Sequence, residues 1–128
     1  MMSYRVILPM PPAELRPNKQ LKWQIKAPIT KRFRFLAYVA FRKDIPDLMD
    51  REFIPFTQVK IERRFFFRKN ARRDKANFNA GTKAIDDGMV DSGLIVDDSG
   101  DNIIWLDSSL IVDKAIAEDY LEYLIEAA

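Results

Sequence analysis

Residues 56–90 read FTQVKIERRFFFRKNARRDKANFNAGTKAIDDGMV, and the spacing of their apolar positions changes partway along. Up to residue 68 the period is two. Val59, Ile61, Phe65 and Phe67 fall on one face and Lys60, Glu62, Arg64 and Phe66 on the other, the pattern of a strand buried on one side. Arg63 interrupts the apolar face. Over residues 76–90, Phe78, Thr82, Ile85 and Met89 stand at i, i+4, i+7 and i+11, which predicts a second helix of the chain packing by one stripe. Gly88 and Gly93 lie near its end, where a helix can close.

Upstream, residues 4–8 read as a short first strand ended by PMPP, whose prolines cannot supply ladder donors. Residues 13–28 have a proline near either end and no firm period, so they read as a loop with an undecided strand or turn. Over residues 30–43, Phe33, Leu36, Ala37, Ala40 and Phe41 recur at helical spacing. Thr30 is the expected N-cap and Pro46 the limit of this first helix. Downstream, residues 102–106 (NIIWL) suit a short buried strand that residues 110–112 extend or follow. The tail AEDYLEYLIEAA fits either an amphipathic helix or an alternating edge strand, and periodicity does not decide between them. The expected fold class is α+β, a small mixed sheet of about four strands packed with two helices.

At 128 residues, 48% of them hydrophobic, the chain suits one core, and residues 1–128 are read as a single domain. There is no Cys and no His, which excludes disulfides, thiolate chemistry and the commonest general base. Metal chemistry here has to use oxygen ligands, which favours Mg²⁺, with Mn²⁺ as a substitute. No apolar run approaches the ~20 residues of a membrane span, and the first residues lack a signal-peptide pattern, so no membrane association and a cytoplasmic location are expected.

The net charge of +2 conceals two opposed halves. Residues 1–75 hold 19 Lys and Arg against 7 Asp and Glu, and residues 76–128 hold 2 against 12. A basic flank can hold phosphates while carboxylates hold a cation, although a charge block is also the ordinary composition of a solvated face.

Three places carry candidate chemistry. Arg68, Lys69, Arg72, Arg73 and Lys75 crowd the turn before the second helix and suit phosphate binding, as an exposed basic loop also would. Asp74 stands at the expected N-cap of that helix, so it is both a cap and a candidate metal ligand. Asp97 and Asp98 are adjacent after the apolar run 94–96, and neighbours on an extended chain point to opposite sides. Lys83 and Asp87 at i, i+4 form either a weak surface pair or part of a cleft in which the lysine stabilises charge on a phosphate.

The strings RRDKANF and KAIDDGMVDSGLIVDDS together resemble the signature of the RusA family of Holliday-junction resolvases found in bacteriophages and prophages. Arg73, Asp74, Asn77, Lys83, Asp87, Gly93, Asp97 and Asp98 match it in order, and YRVILPMPP looks like the family's first strand and proline turn. The resemblance is specific over about 30 residues.

It implies a homodimeric, Mg²⁺-dependent endonuclease making paired cuts across a four-way DNA junction, a two-fold protein on a two-fold substrate. Carried over by position, Asp74, Asp87, Asp97 and Asp98 are the metal candidates. Asp74, Asn77, Lys83 and Asp98 are the catalytic ones, and Arg68, Lys69, Arg72, Arg73 and Lys75 hold the DNA. One position departs: Ala76 stands where the family has its second Asp. Alanine cannot bind a cation, so a non-catalytic or weakly catalytic branched-DNA-binding accessory protein is the alternative, with Trp23, Phe65 and Phe66 available to stack on bases.

Overall fold

The computed structural model describes residues 3–16 and 21–128. Its centre is strand β2 (Val59–Phe67), which buries Val59, Ile61, Phe65 and Phe67. On one side β2 pairs antiparallel with β5 (Tyr120–Ala127), which in turn pairs antiparallel with β1 (Ser3–Pro9). Along its other side β2 takes two short parallel partners in succession, β3 (Ile103–Trp105) beside Val59 to Ile61 and β4 (Ser109–Val112) beside Arg64 to Phe67. The result is a five-stranded mixed sheet, an α+β fold as the sequence implies, with one strand more than expected.

Residues 120–127 are a strand, which decides the tail's ambiguity. They lie in the interior of the sheet and not at its edge. Leu121, Tyr123 and Ile125 face the core, each at most 1% exposed, and a helix could not have laddered with both β1 and β2.

Two helices cover the core face. Helix α1 (Trp23–Asp44) buries Phe33, Ala37 and Phe41. It starts seven residues before the expected Thr30, and that residue is no cap: its hydroxyl donates to the Lys26 carbonyl at 3.0 Å inside the helix. Pro28, which argued for a loop, is accommodated because it sits early in the helix and removes only the one bond to the Gln24 carbonyl.

The second helix is in fact two, α2 (Lys75–Ala80) and α3 (Lys83–Asp91). The break is a tight turn in which Gly81 and Thr82 donate backbone bonds to Phe78 and Asn79, and the Thr82 hydroxyl also bonds the Asn79 carbonyl at 2.7 Å. Phe78, Thr82, Ile85 and Met89 are nevertheless all buried, because the turn rotates the chain without taking the stripe off the core.

Helices α1 and α3 meet at Gly88, where a Cβ would stand 2.6 Å from the Arg34 carbonyl oxygen. Arg34 then clamps Asp91 through two bonds of 2.6 and 2.7 Å. The opposite face of the sheet carries Arg5, Lys60, Glu62, Arg64, Glu122 and Glu126. Glu122 is only 2% exposed there, held by Arg5 and by Arg64 at 3.6 Å. No described helix is long and apolar enough to cross a membrane.

Candidate functional site

After α3 the chain reverses at Gly93, whose φ of +89° lies in the region open to glycine. Leu94 and Ile95 are buried, and the segment is pinned beside Phe56 by backbone bonds of 2.8 and 3.1 Å. This fixed return brings Asp98 back to the start of α3. The ammonium of Lys83 bonds Asp98 Oδ2 at 2.8 Å and Asp87 Oδ1 at 2.9 Å, so one cation joins two carboxylates 15 and 4 residues away in sequence. Its bonds to Asp98 and then to Asp87 hold the Lys83 pKa above the usual lysine value, so it is an ammonium at neutral pH. It can offer charge to an anion and cannot act as a general base.

Asp97 turns elsewhere. Its carboxylate accepts from the Ser99 hydroxyl at 2.6 Å and the Ser99 N–H at 3.3 Å, and the first of these bonds holds its pKa below the usual range. The adjacent pair thus divides between a turn and the lysine.

Beneath Lys83 lies a cluster that sequence reading did not single out. Asp86, 7% exposed, accepts the Tyr123 hydroxyl at 2.7 Å and contacts Arg63 at 3.4 Å. Arg63 also donates to the Tyr123 oxygen at 3.2 Å and lies 3.7 Å over the Trp105 ring. Burial pushes the Asp86 carboxyl up to about 6, against the opposing pull of Arg63 and the Tyr123 hydroxyl. Two signals for it were present in the sequence: the Asp86–Asp87 doublet, and an arginine on the apolar face of β2 that needs a buried partner.

The remaining candidates gather at the other end of β2. Asp74 caps α2, its Oδ1 accepting the Ala76 N–H at 3.1 Å. Asp74 and Asn77 line a cavity of about 340 Å³ with Arg16, Arg72, Arg73, Phe67, Phe78 and Asp119. Arg68 and Lys69 are exposed at the close of β2, and the Arg68 N–H bonds Asp119 at 2.8 Å. Lys75 reaches Asp107 at 3.3 Å in an exposed pair. Ala76 is exposed.

The structure therefore brings Lys83, Asp87 and Asp98 together and places Asp74 and Asn77 with the arginines. Among the described residues no three acidic side chains form a group that could hold a metal ion. Asp87 and Asp98 nevertheless converge on a single cationic centre with hard oxygen donors. One or two carboxylates, completed by water and substrate phosphate, are the set Mg²⁺ commonly takes, so the donor chemistry fits that ion. No protein-family model matches the sequence, and no curated protein matches it.

Proposed function

We propose that this chain is a metal-dependent endodeoxyribonuclease acting on four-way DNA junctions as a homodimer, the activity implied by its resemblance to the RusA family. The observation that best supports the reading is the convergence of Asp87 and Asp98 on Lys83, three residues of the resembling motif that the fold assembles from α3 and the loop after it.

When bound by Asp87 and Asp98, Mg²⁺ would polarise the scissile phosphate and acidify an attacking water. Lys83, permanently charged, turns from its carboxylates toward the phosphate and neutralises the charge that builds up there. Arg72 and Arg73 hold neighbouring phosphates, and Asn77, in the same cavity, orients the strand through its amide. Arg68, Lys69 and Lys75 widen the basic surface around that cavity.

A second reading has its own support. Ala76 occupies the place of the family's second carboxylate, and Asp74 is engaged as a helix cap, which favours a branched-DNA-binding protein that cuts weakly or not at all. Incubating a synthetic four-way junction with the protein and Mg²⁺ separates the two. Paired nicks that vanish in Asp98→Asn support the nuclease, whereas retained junction binding without metal-dependent nicks at any protein concentration favours the accessory role.

A further inference from the structure

The cavity beside Asp74 has an architecture that the chemistry at Lys83 does not use. Its floor is two aromatic rings in edge contact, Phe67 and Phe78, with centroids 5.1 Å apart. Each ring carries its own arginine. The Arg73 guanidinium lies 3.8 Å from the Phe67 centroid, and that of Arg16, arriving from the turn after β1, lies 4.6 Å from the Phe78 centroid. A guanidinium carbon seated over a ring still leaves N–H donors at the guanidinium's edges, the groups that grip a phosphate. Among the described residues neither arginine forms an ion pair; Arg73 gives one bond to the Ala71 carbonyl, at 3.1 Å.

The two carboxylates in the lining are already engaged, Asp119 by the Arg68 N–H and Asp74 by that of Ala76. Arg16, Arg72 and Arg73 outnumber those two carboxylates, so the lining keeps a net positive charge. The lining is mostly polar, with Phe67 and Phe78 as part of its apolar share, so an anion there is gripped by the arginine donors themselves.

We propose that Arg16 and Arg73, each seated over a phenylalanine, form a two-jawed clamp for one phosphate group, which in the DNA-cutting reading is a backbone phosphate beside the scissile one. The identification of the ligand as DNA rests on the proposed function; the clamp itself rests on the placement of the two guanidiniums over adjoining rings in one cavity. Arg16 is thereby a phosphate-positioning residue contributed by a segment 58 residues away from Asp74 in sequence.

The test is junction affinity without divalent metal, measured by fluorescence anisotropy across a salt series, for the wild type, Arg16→Ala, Arg16→Lys and Arg73→Ala. Lys60→Ala, on the far face of the sheet, is the charge-matched control. Arg16→Ala and Arg73→Ala should each weaken binding roughly 10-fold and reduce the log–log salt slope by about 1, the loss of one phosphate contact. Arg16→Lys keeps the charge without the fork, so it should retain the slope and recover only part of the affinity. Lys60→Ala should match the wild type. Wild-type slope and affinity in both alanine variants would overturn the clamp while leaving the nuclease reading intact. If the wild type binds no junction, the nuclease reading fails, and inorganic phosphate then decides the clamp: a melting temperature raised by phosphate in the wild type and not in Arg16→Ala keeps it, and no difference removes it.

Discussion

Asp86 is a carboxylate placed where ionisation is costly, at the back of a site whose front is charged. Its unfolded value is 3.8 and its folded value about 6, so between these the folded protein holds a proton that the unfolded chain has released. The folded state binds more protons across that window, and stability must fall as pH rises through it. At about 1.4 kcal/mol per pH unit the total is about 3 kcal/mol. Comparing wild type with Asp86→Asn in urea denaturation isolates this contribution from that of other carboxylates. The unfolding free energy of the wild type relative to the variant should be about 2 kcal/mol larger at pH 4 than at pH 7, part of the effect being already lost at pH 4. A difference that stays flat across the series would show that Asp86 is not perturbed. The cluster also holds Tyr123, whose pKa burial raises, so its hydroxyl remains a donor throughout this range.

Between elements, α1 and α3 approach closely at Gly88. A methyl group there would meet the Arg34 carbonyl oxygen at 2.6 Å and the Ala37 Cβ at 2.7 Å, and the first of these is backbone that cannot rotate aside. Gly88→Ala gains about 1 kcal/mol of helix propensity but overpacks the contact, and forcing the helices apart pulls Arg34 from Asp91. A net loss of about 2 kcal/mol, read as a lower urea midpoint at unchanged m value, is expected; an unchanged midpoint would mean that α3 has room to shift. Much of this level was legible in the sequence. The period of two in residues 59–67 and the stripe from Phe78 to Met89 come from burial on one face, which leaves its mark on local spacing. The pairing of Lys83 with Asp87 followed from helical geometry in the same way. What was not legible depended on distant partners: the early start of α1 across Pro28, the interior place of β5, the partnership of Asp86 with Arg63, and the approach of Arg16 to Phe78. The break at Gly81 was missed for a different reason, since a tight turn that preserves the buried stripe hardly disturbs its spacing.

For the whole molecule, the arrangement of the sheet sets how the chain folds. β5 is the last strand in sequence, and its ladders with β1 and β2 hold the sheet together. Contacts of such long sequence separation place folding in the millisecond-to-second range, slower than for a helical bundle of equal size. Stopped-flow refolding should show that, and microsecond relaxation would contradict it. Removing residues 120–128 should abolish cooperative unfolding, because it deletes an interior strand and leaves β1 without a partner. The same order has a consequence for synthesis. Arg5 and the Glu122 that it grips are 117 residues apart, which at ~5–20 residues per second is an interval of roughly 6–23 s. For that time β1 lacks its partner strand, and once β2 has been made the backbone edge that β5 will pair stands open. A growing chain of this protein therefore presents its hazard to the cell before it presents its fold, and its need for chaperones is greatest while it is still being made.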